Sequence, residues 1–420
     1  MSVNATRRPE PRGRLGGVRV VEVVRSPAGW GFAVITITLV ATLVRLLIIA
    51  HSHGGTDLRQ YTYYSRLALH GVNPFAPPQS GLFPPFDSNN PPLEVAAFTG
   101  LLAIHDSPTT IRLLFVVSDA LLLLLIGFRY RRSRGWRIGF MVFYGFNPFV
   151  LFAYTAFAED KTLLVLGIAC WLLALERDRE WSAWAAATAL TVFKFLGAFA
   201  MPALALHSWR RRRVRALLPI GAFVIAFLLS NLPWFPQSLD AFSRRDARLA
   251  VNPPLHASPT LLLSRIGVYA PIEAKLLTGA AIITVLGLFA TRRIEVREAV
   301  VWSLVAGYIF LPDDAFNRLL LITLPFMLLL ELSLRRWIAI WVVSALAALG
   351  AVIATRGVPH ELTAIAGPLR AVFAHESTVC HVLWMNLLPA LVIAYYLIDR
   401  RAGRAPVCGS PARGIEQPVA

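Results

Sequence analysis

Lysine is nearly missing from this 420-residue chain: only Lys161, Lys194 and Lys275 contribute to its 41 basic residues, and the rest are arginines. Cysteine is scarce too, and Cys170, Cys380 and Cys408 are too scattered for a disulfide scaffold. Charged residues make up only 15% of the chain, well below the roughly 25% usual in soluble domains. Nucleotide-binding signatures are missing as well, with neither a Walker A nor a GxGxxG stretch. No HExxH, CxxC or paired-carboxylate motif occurs, and His51, His53, His256, His360, His375 and His381 form no ligand spacing, so neither an obligatory metal nor another cofactor is expected.

What the chain has in abundance is apolar sequence. Hydrophobic residues are 56% of the total, and they fall into blocks of about 15–22, near the roughly 20 that cross a hydrocarbon core as a helix. This excludes a soluble enzyme and a disordered chain. The expected fold is an all-α polytopic membrane protein. The net charge of +17 does not indicate nucleic acid. Its arginines sit in runs between apolar blocks, at 131–132, 210–213, 292–293, 335–336 and 400–401, as positive-inside loops do.

Laying the blocks across a bilayer gives about 12 crossings. Residues 1–28 read as a basic cytoplasmic tail, with no cleavage site before Trp30. Trp30 to Ala50 runs outward, and 51–108 forms a Pro- and aromatic-rich first outer loop. The apolar run Leu93 to Ile104 is too short to span, and reading it as an interfacial helix keeps the basic 129–137 segment inside. Spans follow at 109–128, 138–156 and 161–176. Basic residues flank both ends of 182–207, so this block reads as two short helices turning near Lys194. The turn lifts Lys194 away from the midplane, where a charge costs about 2.5–3.5 kcal/mol on insertion scales. Further spans are expected at 216–234, 275–291, 298–311, 318–333, 337–355 and 380–398. Domain organisation follows as a main transmembrane module over 29–335, C-terminal membrane helices over 336–398 and a disordered cytoplasmic tail over 399–420.

This topology collects unusual charge on the outer side. Asp57 lies just past the first span, after Gly54-Gly55, and Asp57, Tyr61 and Tyr64 fall on one helix face. Such a carboxylate suits a general base beside a sugar; it equally suits a helix N-cap. Glu159-Asp160-Lys161 occupies a very short outer turn, read either as part of a site or as a solvated ion pair. Lys194 within an apolar run and Arg318 after Asn317 are phosphate-binding candidates, Arg318 also being four residues from Asp314.

Here the residues resemble a family. Asp57-Leu-Arg-Gln-Tyr61, His70-Gly-Val-Asn-Pro-Phe75, Phe83-Pro-Pro-Phe86 and Asn90-Pro-Pro-Leu93 look like the first outer loop of the GT-C integral-membrane glycosyltransferases. They are similar in particular to the bacterial mannosyltransferases of glycosyltransferase family 87. Phe146-Asn-Pro-Phe149, Glu159-Asp160, the Lys194 helix pair and Asn317-Arg318 continue the likeness in order over residues 30–335. Phe75 replaces a usual tyrosine, and Arg59 removes the Asp-x-Asp form of some relatives. The resemblance implies a GT-C-like bundle in a bacterial plasma membrane, with both termini cytoplasmic. It also implies a polyprenyl-phosphate sugar donor, with mannose favoured, and a lipid or glycan acceptor on the extracytoplasmic face. Asp57 would be the base of an inverting displacement, because a phosphate leaving group needs no second, protonating carboxyl. Lys194, Arg318, Lys161 and Arg245 would hold the donor phosphate, while Glu159, Asp160, Tyr61, Tyr64 and Asn317 would contact sugar or acceptor. The rivals are a multi-pass transporter or flippase of a lipid-linked or anionic substrate, and a non-catalytic assembly subunit.

Overall fold

The structure, a computed structural model, describes residues 26–77, 90–251, 271–309, 316–356 and 378–403. Every regular element among them is helical. Helices α1 (Pro27–His51), α2 (Thr56–Leu69), α3 (Pro92–Ile104) and α4 (Pro108–Arg129) come first. Next are α5 (Arg134–Phe146), α6 (Pro148–Ala156), α7 (Lys161–Glu176), α8 (Glu180–Lys194), α9 (Met201–Arg212) and α10 (Leu217–Asn231). Then come α11 (Gln237–Val251), α12 (Pro271–Ala290), α13 (Val296–Ile309), α14 (Phe316–Leu329), α15 (Leu334–Arg356) and α16 (Thr378–Arg401).

Among the described residues, three helical runs are long and apolar enough to cross a membrane by length and composition: α1, α4 and Met201–Trp234, the last of which reverses direction at Arg213 and is not one straight crossing. The bent pair α5–α6 makes a fourth if taken as one span. The block 138–156, expected as one continuous span, is therefore broken, bending by 45° at its Asn-Pro step. Pro148 offers no N–H to the preceding turn, and the Asn147 side chain accepts from Phe149 N instead. A π-helical turn over Leu151–Ala156 follows. Helix α3 has 13 residues, about 20 Å of rise, well short of a roughly 30 Å core.

Helix α1 shows how these helices partition their faces. Trp30, Val34, Thr38, Ala41 and Arg45 recur at helical spacing and are buried, packing toward α4 and α5. Phe32, Leu39, Leu43 and Leu47 lie on the opposite, exposed side. A face of that character suits hydrocarbon and would be an aggregation liability in water. Gly127 lets α4 approach α1 closely: a Cβ there would stand 2.5 Å from Val34.

The bundle has two chemically distinct ends. At one, Arg211 pairs with Asp178 at 2.8 Å, Arg212 with Glu180 at 2.6 Å, and Arg297 with Glu176 at 3.6 Å. Arg336 holds Asp399 at 2.5 Å, and Arg132 bonds the Leu328 carbonyl at 3.0 Å. The arginine-rich segments seen in sequence thus converge on one end. The Arg211 and Arg212 pairs, with Trp184 Nε1 donating to Ser208 at 2.9 Å, make α8 and α9 an antiparallel hairpin. Helix α8 ends at Lys194 because Phe195 takes a left-handed φ of 54°. A second reversal at Arg213, φ 51° and ψ −124°, brings α10 back along α8, with Phe223 beside Trp184 and Phe227 beside Phe195.

Beneath the opposite end lies a buried ion pair. Arg45 Nε is 2.6 Å from Asp119 Oδ2. Its remaining N–H groups donate to the Gly145 and Tyr144 carbonyls at 2.8 Å each, and Tyr144 Oη donates to Asp119 Oδ1 at 2.5 Å. Satisfying nearly every donor and acceptor is what makes a buried pair tolerable. Arg112 likewise donates to the Ser52 carbonyl at 2.5 Å and to Ser52 Oγ at 2.6 Å, closing the last turn of α1.

Candidate functional site

The end remote from the arginines gathers an acid–lysine cluster from four chain segments. Gly55 is the N-cap of α2, and its N–H donates to the Phe157 carbonyl at 2.8 Å. A Cβ at Gly55 would meet Phe157 Cδ1 at 2.7 Å, so glycine is what lets the start of α2 sit against the 157–161 turn. Asp57 falls in the first turn of α2 and makes no capping bond. The N-cap alternative read from sequence is therefore replaced by Gly55. The first-turn position still places the carboxylate by the positive end of the helix dipole.

Lys161 opens α7 and draws three carboxylates together. Its Nζ stands 2.8 Å from Glu159 Oε2, 2.8 Å from Asp160 Oδ1 and 3.5 Å from Asp57 Oδ2. Lys194, the last residue of α8, lies 2.8 Å from Asp160 Oδ2 and 2.9 Å from Glu94 Oε2. It also donates to Asn90 Oδ1 at 3.0 Å and sits 5.5 Å from the Tyr61 ring centroid. Asp160 is thus a bridge between two ammonium groups.

The carboxyls are paired by the lysines between them: Asp57 and Glu159 converge on Lys161, and Glu94 and Asp160 converge on Lys194. For Asp57, burial works to raise the pKa, but the Lys161 charge holds it below its ordinary value. Burial, then the Asp57 charge, pushes Glu159 well above the usual range. Burial opposes ionisation of Asp160, and Lys161 with Lys194 outweigh it, leaving that group strongly acidic. Burial raises Glu94 well above its ordinary value, with Lys194 only partly opposing. Four carboxyls thus face two ammonium groups, and the cluster carries no net charge when two of the acids keep a proton. A buried cluster of no net charge escapes much of the desolvation cost that an excess charge would carry.

Exposure separates the roles. The Asp57 side chain is 30% exposed, whereas that of Glu159 is 7% and that of Asp160 is 0% exposed. Asp57 is the open carboxylate; the other two lie behind it. Tyr61 packs against Phe98 and Phe115, and its buried hydroxyl has no hydrogen-bond partner among the described residues. Tyr64 is buried on the same helix.

Of the residues singled out in sequence, Asp57, Tyr61, Glu159, Asp160, Lys161 and Lys194 come together. Asn317 and Arg318 lie in the first turn of α14 and Arg245 lies in α11, with their side chains outside the described residues. Arg244 donates to the Phe75 carbonyl at 3.0 Å, joining α11 to the segment that follows α2. Glu94 and Asn90 were not anticipated. Their signal is the Asn-Pro-Pro-Leu-Glu run, where prolines fix a helix start and place an acid in its first turn. Among the described residues no His, Cys, Asp and Glu group has the geometry to hold a metal ion. Compared with known proteins, the chain matches no protein-family model and no curated protein.

Proposed function

We propose that the chain is an integral-membrane glycosyltransferase of GT-C type, moving a sugar, with mannose favoured, from a polyprenyl-phosphate donor to a lipid or glycan acceptor. The reading places the arginine-rich end and both termini in the cytoplasm of a bacterial cell, the acid–lysine end outside, and about 12 crossings between them. The observation that carries it is Asp57: a partly exposed carboxyl in the first turn of a helix, 3.5 Å from Lys161, in a cluster that also holds Lys194.

In the proposed step, Asp57 takes the proton of an acceptor hydroxyl while that oxygen bonds to the sugar's anomeric carbon. The carbon–phosphate oxygen bond breaks, and its electron pair leaves on the phosphate, inverting the anomeric centre. General-base catalysis of this kind contributes about 10²–10⁴-fold. Arg318 and Arg245 stabilise the phosphate as charge develops, joined by Lys161 and Lys194 where a phosphate oxygen takes over from a carboxylate. Tyr61, Tyr64 and Asn317 line the sugar side in this reading. Glu159 and Asp160 act from behind, by setting charge and orientation.

The alternative is a transporter or flippase, favoured by the Arg45–Asp119 pair buried in the bundle, since intramembrane charge often marks a transport path. Purified protein offered a panel of synthetic lipid-phosphate sugars with labelled acceptors separates the two. Transfer in detergent, without compartments, supports the enzyme. Movement of a lipid across sealed vesicles with no transfer from any donor supports the transporter.

A further inference from the structure

Glu159 is the acid that the proposed chemistry leaves without a direct part. Its Oε2 lies 2.8 Å from Lys161 Nζ, which also stands 3.5 Å from Asp57 Oδ2 and 2.8 Å from Asp160 Oδ1, so three carboxyls converge on one ammonium. Carboxyls crowded on a single ammonium cannot all be compensated as anions, and one that keeps its proton can donate a hydrogen bond to its neighbour. Between Asp57 and Glu159, Glu159 is the one withdrawn from solvent, 7% exposed against 30% for Asp57, and burial disfavours the charged form. We propose that Glu159 keeps its proton at neutral pH and donates it to Asp57, fixing that carboxylate in its ionised form and aiming its free lone pairs outward. This rests on the transferase reading and deepens it: Glu159 is a positioning residue for the base and touches no substrate.

The groups that face Glu159 agree. From α2 come Asp57 and the Tyr61 hydroxyl, which has no partner among the described residues, from the 157–161 turn Asp160, and from α7 Lys161. Lys161 spans both members of the pair, so it neutralises one charge and cannot neutralise two while also serving Asp160. Deprotonating Glu159 would therefore set an uncompensated charge against Asp57 and remove its donor. The raised pKa of Glu159 and the lowered one of Asp57 are what such a pair produces.

The sign of the pH dependence follows. As pH rises through the elevated Glu159 value, Asp57 loses its donor and turnover falls. Glu159→Gln keeps an N–H donor that cannot ionise, so whatever turnover remains should no longer fall on the alkaline side. Glu159→Ala removes the donor and should lower kcat about ten- to hundredfold with KM little changed, the worth of one hydrogen bond to a charged group.

The deciding experiment needs no substrate. Infrared difference spectra of the purified full chain, taken across an alkaline titration, should show a protonated-carboxyl band that Glu159→Gln removes. Glu94→Gln should remove a separate band and serves as the control. Persistence of the full wild-type signal in Glu159→Gln overturns the proposal, whatever the activity. Loss of the band in Glu159→Gln, with no sugar transfer by wild type from any donor, upholds the proton assignment and sinks the transferase reading. If Glu159→Ala folds poorly, the Gln variant and its pH profile still decide.

Discussion

Asp160 and Lys194 meet at 2.8 Å with the carboxylate fully buried, joining the turn before α7 to the turn that ends α8. The same carboxylate holds Lys161 at 2.8 Å through its other oxygen. One short side chain therefore ties two helix hairpins together at the acid–lysine end.

Replacing Asp160 with Ala leaves two lysines short of their common partner. Breaking a buried pair from one side typically costs about 3–5 kcal/mol, so a large drop in thermal midpoint is expected in detergent. The pKa of Asp160 is depressed on folding. Its stabilisation is therefore present above the ordinary aspartate value of 3.8 and is lost as pH falls toward the folded value. Wild type should lose stability on acidification, and Asp160→Ala should lose less.

Glu94 behaves oppositely. Its pKa is raised from 4.5, so the native state holds a proton that the unfolded chain releases, and stability declines as pH rises through the folded value. Glu94→Gln mimics the neutral acid. It should be near-neutral at pH below the ordinary value and more stable than wild type under alkaline conditions, read by thermal unfolding across pH.

The Arg45–Asp119 pair tests whether buried charge here is structural. Asp119→Asn alone strands a guanidinium and should cost about 3–5 kcal/mol, whereas Arg45→Met with Asp119→Leu together should recover most of the loss. A double-mutant cycle on unfolding midpoints gives the coupling. Loss of transport-type function with stability intact in the double variant would favour the flippase reading.

Gly197 follows the Lys194 turn, and an added Cβ would stand 2.6 Å from the Ala187 carbonyl and 2.4 Å from Thr191 Oγ1. Because one of these neighbours is backbone, Gly197→Ala has to shift the turn. A cost of about 1–3 kcal/mol is expected, together with reduced activity as Lys194 moves. Gly221, with open space around its Cβ position, should accept alanine without loss.

Much of this arrangement was legible in the chain because helix breaks and charge runs are local signals. The flanking arginines and the polar Lys194 indicated a reversal within 182–207, and Phe195 supplies it. The Asn-Pro step at 147–148 was visible too, yet its bend was not, since apolarity on both sides reads as one span. Glu94 and Asn90 went unread because their partner is Lys194, about a hundred residues on, and no local periodicity encodes that contact. Arg45 and Asp119 carried a plainer signal. Arg45 is the one arginine of α1 and Asp119 the one acid of α4, both deep in apolar sequence, and such residues seek one another. Attention to charges at helix ends alone passes over them.

The most direct test is transfer from a lipid-phosphate sugar by Asp57→Asn compared with wild type. Asp57 is partly exposed, and Glu159 beside Lys161 can give up its proton to restore the charge balance, so the variant should fold with a stability change of no more than about 1 kcal/mol. The account predicts a folded protein whose turnover falls at least about a hundredfold. Wild-type turnover in that folded variant would contradict it.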